Sequence, residues 1–230
     1  MAVRASPVEE EEKVVHQDIA TLRPMEWIND NIVNFVGKVV IQPWRGRGAA
    51  KVHVSSSHLM DRLLRAADPT THYDFAAVGG WRDKVPGGIS SLDEIFIPVN
   101  PDGNHGNFIH VRVQEKMIEL WDSLGPQASN AKYLAAAEKF VKDALAREEL
   151  AGRISAERSR HIGWENVDRS GDLPRQGNGY DCGIFMLTSM SHVRNGLQLS
   201  REAYTQGILT LQRARKRLAE RIHMGNGGQQ

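Results

Sequence analysis

The chain has a single cysteine, Cys182. It stands in Gly177-Asn178-Gly179-Tyr180-Asp181-Cys182-Gly183, a polar glycine-rich run leading into the apolar Ile184, Phe185, Leu187 and Met190. This pattern predicts a helix that begins close to the cysteine, runs to about Asn195 and stops at Gly196. A thiol at a helix N-terminus lies among free N–H groups at the positive end of the macrodipole. Such placement brings a thiol pKa from ~8.5 into roughly the 3.5–7.5 range, and the thiolate is the nucleophile. The plainer alternative is an inert buried cysteine that packs as a small hydrophobe.

A thiol nucleophile needs a base and a group that orients the base. Histidine titrates near neutral pH and is the usual choice, but the chain has nine. One pair stands out by position. His105 comes just before an apolar run that starts at Phe108, and Asp122 directly follows one that ends at Trp121. If the two runs pair as a hairpin, these side chains are neighbours. His110 is the rival base, and faces Asp122 instead if the hairpin is shorter. A loop histidine and an ordinary turn aspartate are the bland alternative. Gln176 precedes the cysteine on the same loop. Its amide could donate to the oxyanion formed at a carbonyl under attack, or it is a surface glutamine.

These groups must be carried by ordered elements. From Pro24 the pattern is helical, with Ile28, Ile32, Phe35, Val36 and Val39 on one face. Pro43 and the glycine-rich 45–49 end it. A short helix is expected over 57–67, with Leu59, Met60, Leu63 and Leu64 inward, then mostly loop over 68–93. Residues 94–99 (EIFIPV) read as a buried strand. A turn-forming loop over 100–104 follows, then strands over 108–113 and 117–121 joined by 114–116. Residues 130–150 are Ala-rich and strongly helical, 168–180 are a polar loop, and a last amphipathic helix is expected over 200–222. The result is α+β: helices around a small, mostly antiparallel sheet. Residues 1–18 read as a flexible lead-in, 19–224 as one catalytic domain and 225–230 as a disordered tail.

Composition narrows the function classes. Lys and Arg total 29 against 28 Asp and Glu, which gives no reason to expect nucleic acid or an anionic membrane as a partner. No stretch approaches the roughly 18 apolar residues of a membrane span, and an acidic run at residues 9–12 stands where a secretory signal would be apolar. One cysteine makes no intrachain disulfide and no cysteine-based zinc site, and the histidines form no metal-ligand cluster. A reducing compartment, cytosol or nucleus, is expected.

Five segments, in order, resemble the ubiquitin-like-protein proteases, the SUMO-specific (sentrin-specific) cysteine proteases. They are residues 22–35 with their core Trp27-Ile28-Asn29-Asp30, residues 81–85 (WRDKV), residues 95–100 (IFIPVN), residues 121–125 (WDSLG) and residues 174–185 (PRQGNGYDCGIF). The resemblance implies a papain-like fold with His105, Asp122 and Cys182 as the catalytic set and Gln176 on the oxyanion. The 17-residue spacing from His105 to Asp122 is the one the family leads us to expect, which favours His105 over His110. It implies cleavage after a C-terminal Gly-Gly, at an isopeptide bond to lysine or a precursor extension, without metal or organic cofactor. Trp27 becomes a wall of a narrow tunnel that admits only residues without side chains. Asp30 is either a surface contact to the tag or a local helix partner. The family usually has tryptophan directly after its histidine as a second wall, whereas this chain has Gly106.

The expected partner is SUMO and its conjugates, met by a monomer. Ubiquitin or another ubiquitin-like protein is the alternative, because the recognition surface falls in variable loops such as 44–80. A silent tag-binding module and an acetyltransferase on the same triad are further alternatives. The Ala-, Arg- and Gly-rich composition suits a bacterial protein, which would then be an effector delivered into a host cell, including its nucleus.

Overall fold

The run Glu94–Val99 lacks polar alternation because both of its faces are covered. Ile95, Ile97 and Val99 point to one side and Phe96 to the other, each 2% exposed or less. The computed structural model describes residues 14–43, 50–64, 73–79, 85–100, 103–159, 163–197, 199 and 208–227. In it this strand, β2, lies in a five-stranded sheet with β1 (Val52–Val54), β3 (Asn107–Arg112), β4 (Met117–Trp121) and β5 (Glu165–Asp168), ordered as in the sequence. The expected hairpin is β3–β4, with Phe108 opposite Trp121 and Arg112 opposite Met117.

The sheet is mixed rather than mostly antiparallel. β1 runs parallel to β2, and β5 parallel to β4. Parallel neighbours need long crossover connections, and residues 55–93 and 122–164 supply them. Neither outer strand was legible from pattern. β1 has three residues, and β5 (Glu-Asn-Val-Asp) is largely exposed and carries no apolar alternation.

Among the described residues, seven α-helices accompany the sheet: α1 (His16–Ala20), α2 (Asp30–Val36), α3 (Leu59–Leu64), α4 (Asn130–Leu150), α5 (Ala156–Ser159), α6 (Cys182–Arg194) and α7 (Ile208–Gly227). α3 and α4 cover one face, where Met60, Leu134, Phe140 and Val141 pack on Ile97, Ile109 and Leu120. α2 and α6 cover the other, where Ile32, Phe35, Ile184 and Leu187 pack on Phe96 and Phe108. No helix among the described residues is long and apolar enough to cross a membrane.

Four expectations change. The helix expected from Pro24 is α2 and starts at Asp30, because residues 23–26 form a tight turn and Asn29 caps the helix by accepting from the Ile32 N–H at 3.1 Å. After Val36 the chain enters a π-helical turn, Gly37–Ile41. The extra residue per turn rotates the register, and Val39, expected inward, is 42% exposed. Gly37 is required there, since a Cβ would sit 2.7 Å from Val54 Cγ1 on β1. The lead-in is ordered from Val14: Asp18 is buried, accepting from Val15 N and from the side chains of Asn29 and Asn31. The last helix extends to Gly227, past Ile222 and into the stretch expected to be irregular. Its expected start at 200–207, the segments 45–49 and 65–67, and Trp81, Arg82, Asp83 and Lys84 lie outside the described residues.

One turn holds the loop before β2. Buried Glu148 on α4 accepts from the N–H groups of Ile89 (2.6 Å) and Ser90 (3.3 Å). Gly88 has φ 78°, and a methyl on it would land on that carboxylate. Gly88→Ala is therefore expected to destabilise the fold by about 2–4 kcal/mol, from left-handed strain and the displaced buried acceptor. Urea denaturation checks it, and a loss under 0.5 kcal/mol, on the order of an ordinary surface change, would contradict it.

Candidate active site

Cys182 is the first residue of α6 and 8% exposed. Asp181 occupies the cap position without capping: its carboxylate turns instead to Asn178 Nδ2 (2.8 Å) and Arg215 Nη2 (2.6 Å). The His105 imidazole and the backbone N–H groups of Gly106 and Gly183 lie around the sulfur and favour its charged form. Burial disfavours the thiolate, but these hydrogen bonds and the imidazolium charge outweigh it and hold the thiol below its usual value.

His105 precedes β3 and Asp122 follows β4, so the hairpin register brings them together. His105 Nε2 lies 2.7 Å from Asp122 Oδ1. Asp122 is 1% exposed and fixed from several sides. Its Oδ1 also accepts from Leu124 N (2.8 Å), its Oδ2 from Asn107 Nδ2 (3.3 Å), and its own N–H donates to Ser170 Oγ (3.1 Å). Burial opposes charging of His105, yet the hydrogen bonds and charges of Asp122 and Cys182 prevail and raise the imidazole from 6.5 to about 9. A lowered thiol and a raised imidazole both favour a thiolate–imidazolium pair.

His110 is elsewhere. It stacks on Phe96 at 4.5 Å, with Nε2 3.1 Å from Glu94 and Nδ1 3.4 Å from Glu119. The structure thus brings His105, not His110, to Asp122 and Cys182.

Gln176 is buried on the loop before α6. Its Oε1 accepts from Ser123 Oγ (2.7 Å), its backbone N–H donates to Ser123 O (3.0 Å), and its Nε2 donates to Asn178 O (2.8 Å). The neighbour of Asp122 therefore fixes this glutamine, and one of its two amide N–H groups is committed to the loop.

A narrow cleft of about 70 Å³ opens over the sulfur, lined among others by Trp27, Asp30, Asn104, His105, Gly106 and Cys182. Trp27 stands over it half-exposed, with Nε1 donating to Gly179 O at 2.8 Å. Asp30 begins α2 at the cleft edge. Gly106 lies flat against the start of α6, where an added Cβ would be 3.5 Å from Gly183 Cα. Trp27 is the one tryptophan, tyrosine or phenylalanine among the described lining residues, and beside Gly106 the lining continues with Asn104 and Gly103. No group of three or more His, Cys, Asp and Glu that could hold a metal occurs among the described residues.

Three supporting groups escaped the sequence reading. Ser123 and Asn107 are short polar residues whose burial no pattern announced. Arg215 left a signal: it shares a helical face with Leu218 and Ile222, an odd place for a charge.

The pattern of the Ulp1 protease family, C-terminal catalytic domain, matches residues 26–223. The chain belongs to this family of cysteine peptidases. It is 27% identical over 175 residues to a sentrin-specific protease of Caenorhabditis elegans, covering 75% of this chain and 22% of the relative. It is also 27% identical over 200 residues to ubiquitin-like-specific protease 1A of Arabidopsis thaliana, covering 84% and 36%. The chain thus spans about a quarter to a third of the length of these relatives. Its fold is similar to the C-terminal Ulp1 protease domain solved in complex with Smt3, the yeast orthologue of SUMO (TM-score 0.69, 23% identity, 90% of this chain and 80% of that one). It is also similar to the Xanthomonas campestris effector XopD bound to ubiquitin (TM-score 0.57, 15% identity, 90% and 99%).

Proposed function

We propose that this chain is a thiol isopeptidase that cuts after the C-terminal Gly-Gly of SUMO and releases it from target lysines, through one catalytic domain spanning residues 19–224. The observation that carries the reading is the Cys182–His105–Asp122 array beneath the Trp27 cleft. Membership in the Ulp1 family and the SUMO-bound relative support the choice of tag.

In this mechanism the Cys182 thiolate attacks the terminal glycine carbonyl, forming a C–S bond and an oxyanion. The backbone N–H of Cys182 and the uncommitted N–H of Gln176 stabilise that charge. Collapse breaks the C–N bond, and the His105 imidazolium protonates the departing lysine amine. His105, now neutral, takes a proton from water as it attacks the thioester; the carboxylate leaves and the sulfur is restored. Asp122 keeps Nε2 of the imidazole occupied, so that Nδ1 faces the sulfur. Trp27 confines the tail, Asp30 meets the tag at the cleft edge, and Gly106 adds no side chain to the cleft. A free thiol nucleophile needs a reducing compartment, cytosol or nucleus.

The test is a set of C-terminal electrophile probes built on SUMO, ubiquitin and other ubiquitin-like proteins. Covalent capture of the SUMO probe by Cys182 is expected. Capture of ubiquitin alone would overturn the tag, and capture of none would overturn the function.

The ion pair also sets a pH profile for kcat/KM. Raising pH through the lowered thiol value forms the thiolate, so activity rises on the acid side. Raising it through about 9 removes the imidazolium proton needed by the leaving amine, so activity falls there. Alkylation by iodoacetamide needs no such proton and is expected to stay high above pH 9. A single thiol step near 8.5, on the order of an unperturbed cysteine, would contradict the pairing.

A further inference from the structure

The guanidinium of Arg215 on α7 is 4% exposed and its five N–H groups are all engaged. Nη1 donates to the carbonyls of Thr21 (3.2 Å) and Arg23 (2.8 Å), and Nη2 to Glu26 O (2.8 Å). On the other side, Nη2 and Nε reach Asp181 Oδ1 at 2.6 and 3.1 Å. The first group of acceptors leads directly into Trp27, and the second directly precedes Cys182. Residues 23–26 form a turn closed by Glu26 N–H to Arg23 O at 3.3 Å, with Pro24 first of the central pair and Met25 second at φ 67°. That is type II geometry, whose second central position favours glycine. A methionine held there is strained, and strain persists only where surroundings over-determine the backbone. Arg215 grips the carbonyls at both ends of this turn.

We propose that Arg215 is a positioning residue, a strut that holds the strained 23–26 turn and the Asp181 loop at fixed separation and so sets the gap between Trp27 and the Cys182 sulfur. It touches neither substrate nor the reacting atoms. The triad is held by other contacts, the β3–β4 hairpin and the packing of α6, so the strut governs how a Gly-Gly tail is seated rather than how the thiol ionises. The Trp27-to-Gly179 hydrogen bond ties the same two segments a second time, nearer the cleft. The inference about turnover rests on the isopeptidase reading; the strut itself does not.

The test compares wild type, Arg215→Gln, Arg215→Lys and Arg215→Gln with Met25→Gly. Amide hydrogen exchange reads the strut without any substrate. In Arg215→Gln, exchange over residues 21–28 and 178–182 is expected to rise at least about tenfold, with the 107–121 hairpin unchanged. Fluorogenic C-terminal amides of SUMO and ubiquitin read the consequence. On whichever the wild type cleaves, Arg215→Gln is expected to lose about 30–100-fold in kcat/KM, the scale of a small misplacement. The rate and pH profile of iodoacetamide alkylation of Cys182 should stay within about threefold of wild type, because a small reagent needs no seated tail. Met25→Gly, which relieves the left-handed strain, is expected to recover about three- to tenfold in that background. Arg215→Lys keeps the charge without the fork and should fall between; it serves in place of Arg215→Gln if the latter does not fold. Unchanged exchange, cleavage within threefold of wild type, parallel loss of cleavage and alkylation, or no recovery with Met25→Gly would each overturn the proposal. A wild-type thiol that cleaves neither amide would instead overturn the isopeptidase reading, and the exchange data would still decide the strut.

Discussion

Cys182→Ala is expected to lower turnover of a SUMO amide by about 10⁴–10⁶-fold, the scale on which losing a triad nucleophile acts, while binding SUMO about as tightly as wild type. The sulfur is the only group removed. It sits on the first turn of α6 with little exposure, and the cleft walls include Trp27, Asp30 and the loop around Asn104, each carried by an element other than α6. Binding energy and chemistry are therefore separable at this residue. Calorimetric titration with SUMO gives the affinity, and a fluorogenic amide gives the rate. Turnover within tenfold of wild type would remove Cys182 from the mechanism.

Asp122→Asn is expected to cost about 10⁴-fold in kcat. The carboxylate accepts three hydrogen bonds, from His105, Leu124 and Asn107. An asparagine amide offers one accepting oxygen and one donating nitrogen, so at least one donor in this buried place faces another donor. The imidazole loses the partner that fixes its tautomer and favours its charge. Two readouts separate this from plain loss of folding. The alkaline fall near pH 9 should move to lower pH, because the His105 value was raised in part by Asp122. Unfolding free energy should drop by only about 1–3 kcal/mol, the cost of an unmatched buried donor. A variant with wild-type kcat and an unmoved alkaline limb would show that Asp122 does not orient the base.

The chemistry was more legible in the sequence than the architecture. Cys182 could be placed because glycine-rich loops and apolar helices punctuate strongly, and the helix begins at the cysteine itself. His105 and Asp122 could be paired because a hairpin brings the flanks of its two strands together. Helix 130–150 was readable to the residue for the same reason: a long amphipathic run leaves a periodic trace. β5 left none, since a short polar strand gains its place from backbone hydrogen bonds to β4. The π-helical turn after Val36 follows from close packing of Gly37 on Val54, a contact between segments far apart in sequence. Asp18 and Glu148 were unreadable, and Arg215 showed only as a charge on an apolar helical face, because a buried charge has meaning only through partners that the fold delivers.

The nucleophile and its base arrive on separate pieces of chain. The hairpin that carries His105 and Asp122 is complete by residue 122, whereas the sulfur belongs to a helix beginning at residue 182. Until that helix docks on the sheet, Cys182 is an ordinary protonated thiol, slow toward peroxide as well as toward substrate. A nascent or partly opened chain thus carries its most vulnerable atom in a dormant form, and that atom becomes both useful and oxidisable only when the two pieces close.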